Sequence, residues 1–192
     1  MTIPSPAAPD GTFADGTFAP HGSALEPARP ALHGSFTLVV EVEARVADVY
    51  AAVVQGQTRR RWLRLPGRAG PDPGQDYRVD ASETLHSVIS LDGSDQSIER
   101  HTHVLDLVPD RRLVLTYRAV VDGVCRWISL VTLELEALRE AGTSLTWTEQ
   151  YAFLVVTGDG ADDVAHLRGA TRFQLNGLAL ALGAGARPAV EH

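Results

Sequence analysis

The sequence predicts an α+β domain in which a meander of antiparallel strands is closed by one long helix. Four or five β-rich segments lie between Tyr77 and Leu154, separated by turn signals such as "DGSD" and "VDG". Connections this short require antiparallel pairing. Two short helical segments precede the meander and an amphipathic helix follows it. That helix must bury its apolar stripe against the sheet, which predicts a curved sheet with a cavity beneath it.

Each element has its own signal in the sequence. The first strand is "SFTLVVEVEA", at 35–44, and "RVADVYAAVV" then repeats apolar residues at helical spacing. Gly56 ends that helix, and "QTRRRWLRL" predicts a second short one. The meander strands are predicted at 77–91, 97–108, 112–121, 124–137 and 143–154. One face of the last helix carries Val164, Leu167, Thr171, Leu175, Leu178 and Leu182.

Composition excludes several classes of function. All 17 basic residues are arginine, so a phosphate-binding P-loop and Schiff-base chemistry, which need lysine, are excluded. The net charge of -7 argues against nonspecific nucleic-acid binding. No apolar run approaches the length of a membrane span and no signal peptide is recognisable. With Cys125 as the single cysteine, a cytoplasmic protein is expected.

The chain divides into three predicted parts. Residues 1–33 are rich in Pro, Ala, Gly and Ser and predict a disordered tail, because they cannot bury enough apolar surface to offset the entropy of ordering. Residues 34–183 form the predicted domain. Residues 184–192 are expected to be a loose C-terminal tail.

Several motifs, in the same order, resemble the activator of Hsp90 ATPase homologue 1-like family of the START-like, or SRPBCC, superfamily. They are "HGSFTL", "RVADVY", "VPDRRLVLTY", "ISLVTLELEA", "GTSLTWTEQYAFL" and "LNGLALAL", within about residues 33–183. The resemblance implies a helix-grip (START/Bet v 1-like) fold with a deep internal pocket. Relatives in the superfamily include lipid carriers, hormone receptors and polyketide cyclases, so the resemblance implies no single function. Relatives often carry Gly-Gly where Asp80 and Ala81 stand here.

Strand parity predicts which side chains face that pocket. In the strands at 112–121 and 124–137 the apolar residues occupy odd positions, which places Tyr117, Trp127 and Ser129 on the inner face. The last strand adds Trp147, Glu149 and Tyr151. A buried carboxylate needs a partner, so Glu149 either lines a pocket or lies at the open end of its strand, solvated or paired with an arginine.

The inward face of the two earlier strands is less defined by the pattern. Leu105 and Leu107 favour odd positions inward, which would add Glu99, His101 and His103, and the preceding strand would add Glu83. A β-bulge would reverse either assignment. His101-x-His103 could bind a metal, but no third ligand has a recognisable spacing, so neither metal nor cofactor is predicted.

The sequence therefore predicts a protein that binds a small apolar or amphipathic molecule between the sheet and the last helix. An enzyme of the polyketide cyclase or dehydratase type, with a pocket Glu or His as general acid or base, is the alternative. A chaperone-interaction module is a third. A chaperone partner is not expected, because the eukaryotic co-chaperones carry an additional N-terminal chaperone-binding domain. A homodimer is left open.

Overall fold

A computed structural model of the chain describes residues 30–70, 74–91, 93–139, 142–184 and 186–187. Within them, eight strands form one sheet in the order β2-β3-β4-β5-β6-β7-β1-β8, and every neighbouring pair is antiparallel. The elements are β1 (Leu32–Val42), α1 (Val46–Val54), α2 (Gly56–Trp62), β2 (Arg68–Ala69), β3 (Ser82–Leu91), β4 (Ser94–Val108), β5 (Arg112–Val121), β6 (Val124–Ala137), β7 (Thr143–Phe153), α3 (Ala161–Ala181) and β8 (Ala186–Arg187).

This architecture confirms the predicted fold class, a curved antiparallel sheet packed on a long C-terminal helix. The predicted bounds of β5 and β6 agree with the structure, whereas β3 begins at Ser82 and not at Tyr77. The cause is Asp80, whose φ of 65° lies in the left-handed region and interrupts the extended run. Glycine adopts that region without strain, whereas Asp80 adopts it here with a side chain.

The core lies between the inner face of the sheet, defined as the face toward α3, and the apolar stripe of that helix. Leu38, Leu133 and Leu145 of the sheet and Leu175 and Leu178 of α3 are essentially inaccessible to solvent. Burying such side chains stabilises the fold by about 1.5–3 kcal/mol each. The predicted helical stripe is thus the face that packs against the sheet.

The two short helices close one end of this core. Trp62, the last residue of α2, is buried, and its indole N–H donates a 3.0 Å hydrogen bond to the carbonyl of Ala52 in α1. That bond joins the two helices through a side chain packed in the core. α2 also packs against α3.

A β-bulge at Leu105 sets the facing of β4. Val104 pairs with Leu115, but Asp106 pairs with Val114, so Leu105 has no partner and is 43% exposed. Because one extra residue reverses parity, even-numbered residues face inward before the bulge and odd-numbered ones after it. Arg100 and Val104 are accordingly buried.

The ends of the chain are described only in part. Of the N-terminal tail predicted at 1–33, residues 1–29 lie outside the described residues, whereas β1 already begins at Leu32. Ala186–Arg187 pair with Glu41 and Val42 of β1, where a loose tail was expected. No helix among the described residues is long and apolar enough to cross a membrane.

Candidate functional site

A cleft of about 430 Å3 lies between the inner face of the sheet and α3. Tyr117, Trp127, Trp147 and Phe153 form its aromatic wall. The rings of Trp127 and Phe153 lie 5.6 Å apart between centroids, and Tyr117 meets Trp127 edge-on at 6.5 Å. These contacts hold the wall in one arrangement.

The mouth of the cleft lies between the first half of α3 and the segment after α2. Pro66, His166 and Ala170 surround the cleft and are themselves exposed. Arg126 and Asp163, both half-buried, also border it, so charges of both signs lie around the cleft. A cavity of this size with apolar walls and a few polar groups is typical of a small-molecule site.

Glu149 lies behind the aromatic wall and is completely buried. Its Oε1 accepts a 2.5 Å hydrogen bond from the Tyr117 hydroxyl, and its Oε2 accepts a 3.0 Å bond from the indole N–H of Trp147. The Thr171 hydroxyl of α3 lies 3.3 Å from Oε2 and 3.1 Å from the Leu167 carbonyl oxygen, so two acceptors share its one proton. The carboxylate therefore orients two residues of the wall.

Tyr117 connects Glu149 to the rest of the cleft. Its hydroxyl oxygen accepts a 3.2 Å hydrogen bond from the indole N–H of Trp127 while its proton is donated to Glu149. Burial raises the pKa of Tyr117 well above its ordinary value, and repulsion by the Glu149 carboxylate adds to that rise. The phenol consequently stays protonated at neutral pH and acts as a donor.

A second buried carboxylate, Glu83, is paired in a different way. Its Oε1 accepts a 2.6 Å bond from the guanidinium of Arg59, and its Oε2 accepts a 3.0 Å bond from the Tyr77 hydroxyl. Arg59 also donates to the carbonyls of Val53, Val54 and Gln75. Burial is the main reason that the pKa of Tyr77 rises to about 12. This network ties the two short helices to β3.

Arg100 is the third charged side chain on the inner face. It is 5% exposed and lines the cleft. Its guanidinium carbon lies 4.0 Å from the centre of the Tyr117 ring, a cation–π contact. Among the described residues, Nε of Arg100 has no hydrogen-bond partner.

The structure brings part of the predicted set together. Tyr117, Trp127 and Trp147 line the cleft, whereas Ser129 and Tyr151 lie on the inner face but not around it. Tyr151 instead packs against Phe36 and Phe153 and over Gly34, where a Cβ would meet its hydroxyl. Glu149 is not among the residues that line the cleft. The alternative in which it is solvated or paired with an arginine is wrong, since the carboxylate is inaccessible to solvent and held by neutral donors.

The predicted inward facing of His101 and His103 is wrong, because the bulge at Leu105 turns them to the outer face of the sheet. There, Nε2 of His101 lies 2.7 Å from Glu99, and Nδ1 of His103 lies 3.0 Å from the Ser82 hydroxyl. Glu99 borders the cleft, although its carboxylate turns to His101. The described residues contain no group of three or more His, Cys, Asp or Glu that could hold a metal ion.

Sequence reasoning missed Arg59, Arg100 and Thr171. Arg59 belongs to an Arg-Arg-Arg run that is typical of a solvated helix face. It is buried instead, with its guanidinium against the ring of Tyr77. Thr171 was identified as part of the helical stripe, where a polar residue in an apolar series could have suggested a buried partner. Arg100 would have been found only by a correct reading of the bulge.

Comparison with known proteins supports one family. The family model for activator of Hsp90 ATPase homolog 1-like proteins matches residues 43–178. The Mll3558 protein of Rhizobium loti is similar in structure, with a TM-score of 0.65 and 31% identity, covering 79% of this chain and 98% of that one. An uncharacterised protein of Rhizobium leguminosarum gives 0.64 and 25%, covering 80% and 96%.

A more distant structure shares the fold alone. DynU16, a protein from the dynemicin biosynthetic locus, has a TM-score of 0.53 and 21% identity, covering 78% of this chain and 47% of that one. The comparison with curated proteins gives no match.

Proposed function

This chain belongs to the family of activator of Hsp90 ATPase homolog 1-like proteins, and from that premise and the geometry of the cleft we propose that it is a small-molecule-binding protein. The observation that carries the proposal is the aromatic wall of Tyr117, Trp127, Trp147 and Phe153 around a cavity of about 430 Å3. The ligand lies between the sheet and α3 and enters past Pro66 and His166. Such pockets, of about 300–1,000 Å3, hold ligands of drug size.

The buried hydrogen bonds support binding by a preformed site. Trp147 and Tyr117 are held by Glu149, and Trp127 is held by Tyr117, so the wall does not need to rearrange when a ligand arrives. Preorganisation of this kind lowers the entropic cost of association.

A polyketide-type cyclase or dehydratase is the second candidate function. The observation that favours it is the Tyr117–Glu149 bond directly behind the cleft. Binding ranks first because the oxygens of Glu149 already accept protein donors and a general acid or base must reach the substrate. Turnover of a polyketide-type probe that is lost in both Tyr117→Phe and Glu149→Gln would favour the enzyme. The family name by itself transfers no chaperone activity.

The test of binding is a fluorescence titration with N-phenylnaphthylamine, a neutral aromatic probe, together with variants that fill the cleft. Ala119 is buried and lines the cleft, so Ala119→Phe should abolish binding. Ala152→Phe is the matched control, because Ala152 lies on the outer face between the inward Tyr151 and Phe153. Ala170→Trp fills the cleft from α3 and serves if the strand variant does not fold.

The expected result is saturable binding to the wild-type chain and to the Ala152 variant only. Excitation of the tryptophans should sensitise probe emission, because Trp127 and Trp147 line the cleft. Probe binding that persists in both filled variants, with their cooperative unfolding retained, would show that the probe binds elsewhere and would overturn the proposal.

A further inference from the structure

Arg100 is a buried cation without an anionic partner among the residues that the structure describes. It is 5% exposed, its Nε has no hydrogen-bond partner among the described residues, and none of their ion pairs includes it. Its guanidinium carbon lies over the ring of Tyr117 in a cation–π contact. Burying a charge without a hydrogen-bonded partner is strongly unfavourable, so the fold alone does not account for an arginine at this position.

The two buried carboxylates on the inner face are both occupied elsewhere. Glu83 of β3 is a diagonal neighbour of Arg100 in β4. In the antiparallel ladder, Glu83 pairs with Thr102, and Arg100 pairs with Leu85. Both oxygens of Glu83 accept bonds from Arg59 and Tyr77. The oxygens of Glu149 likewise accept bonds from Tyr117 and Trp147. Neither forms an ion pair with Arg100.

The contact with Tyr117 involves the face of the guanidinium and not its N–H edge. A cation–π contact uses the flat face of the group, whereas its five N–H donors lie in the plane. These donors fit two oxygens of a carboxylate, sulfonate or phosphate side by side. Since Arg100 lines the cleft, a ligand in the cleft can reach that edge.

We propose that the natural ligand of the cleft is an amphipathic organic acid, with its anionic head on Arg100 and its apolar body against Trp127, Trp147 and Phe153. This inference rests on the proposed binding function and adds the chemical class of the ligand. Arg126 and Asp163 bring both charges to the border of the cleft, but both are half-buried, whereas Arg100 lies at the buried inner wall. The preference for an anion therefore arises inside the cleft.

A pair of probes that differ by one charged group tests this assignment. Anilinonaphthalene sulfonate has the aromatic body of N-phenylnaphthylamine and one additional sulfonate. The wild-type chain should bind the sulfonate about tenfold to a hundredfold more tightly than the neutral probe, the usual strength of a charge-assisted contact. Arg100→Met should abolish that preference and leave affinity for the neutral probe within about threefold.

Arg126→Met is the matched control, since Arg126 also borders the cleft but is less buried. It should keep the preference for the sulfonate. A preference that survives Arg100→Met, or that disappears in Arg126→Met alone, would overturn the assignment. So would equal affinity of the wild-type chain for both probes. If neither probe binds to the wild-type chain, the proposed binding function itself fails, which is a separate outcome.

A stability measurement distinguishes a ligand-binding arginine from a structural one. Because Arg100 has no anionic partner in the described part of the chain, Arg100→Met should unfold in urea at the same midpoint as the wild-type chain or a higher one. A large fall in the midpoint would mean that the folded state needs the positive charge of Arg100, for instance to offset the negative charge of Glu149. That result would contradict the assignment even if the variant could not be titrated.

Discussion

Glu149→Leu is the substitution that best tests the buried network behind the cleft. Leucine has a volume close to that of glutamate but accepts no hydrogen bond. In the wild-type chain, Glu149 is completely buried and receives bonds from Tyr117 and Trp147, with Thr171 within reach of it. The substitution leaves these donors in an apolar site.

The expected loss follows from counting the donors that cannot find another acceptor. The indole N–H of Trp147 can only donate, and the Tyr117 hydroxyl also loses its acceptor, so each should cost about 1–3 kcal/mol. Thr171 keeps the Leu167 carbonyl at 3.1 Å and should cost little. The sum is about 2–6 kcal/mol. Glu149→Gln, which retains one acceptor oxygen for Trp147, should lose less, about 1–3 kcal/mol.

Urea unfolding followed by circular dichroism measures these losses, and a partner variant tests their cause. Tyr117→Phe alone removes a charge-assisted donor and should cost about 1.5–3 kcal/mol. In the Glu149→Leu background, the same change removes a donor that is already unpaired, and only the 3.2 Å bond from the Trp127 indole N–H to the hydroxyl oxygen is lost, so it should cost clearly less than in the wild-type background. Additive losses in the double variant, or a Glu149→Leu chain as stable as the wild type, would refute the reasoning.

Three further predictions concern other parts of the structure. Arg59→Met should destabilise the fold by about 3–5 kcal/mol in urea unfolding, because it breaks a buried ion pair, whereas Arg61→Met on the exposed face of the same helix should stay within about 0.5 kcal/mol. Burial raises the pKa of Tyr77 from 10.0 to about 12. The unfolded chain therefore loses this proton first, and the stability that the group contributes is present below pH 10 and lost as the pH rises toward 12. Between about pH 9 and 11 the wild-type chain should lose about 1 kcal/mol more than Tyr77→Phe, and equal losses would contradict the rise. His101→Ala combined with His103→Ala should leave probe affinity within about twofold, since both rings lie on the outer face, and a larger change would contradict that facing.

The sequence predicted the elements of the fold because their signals are local. The turns at Asp122-Gly123 and Asp110 adopt positive φ, as their residue types favour, so the bounds of β5 and β6 could be read directly. The stripe of α3 follows from helical spacing alone. The start of β3 could not be predicted, because it depends on the backbone conformation of Asp80.

The candidate site was predicted only where parity is unbroken. β6 and β7 pair with each other without a register shift from Trp127 to Ala137. Trp127, Trp147 and Glu149 were therefore correctly placed on the inner face. In β4, Leu105 and Leu107 gave the wrong parity for the residues before them. A bulge has no reliable sequence signal, and a single extra residue exchanges His101 and His103 for Arg100 on the inner face.

The charged residues of the inner face divide into those that stabilise the fold and one that is left to bind a ligand. Glu83 and Glu149 have their acceptors filled by the protein, and the donors that fill them come from α2, β5, β7 and the segment before β3. Those contacts make a rigid wall, and removing them should lower stability. Arg100 has no such contact within the described ranges, so removing it should preserve or raise stability while weakening the binding of an acid. Natural proteins retain unfavourable groups of this kind where function requires them. A loss of stability in Glu149→Leu, together with none in Arg100→Met, would therefore distinguish the wall of the site from the group that recognises its ligand.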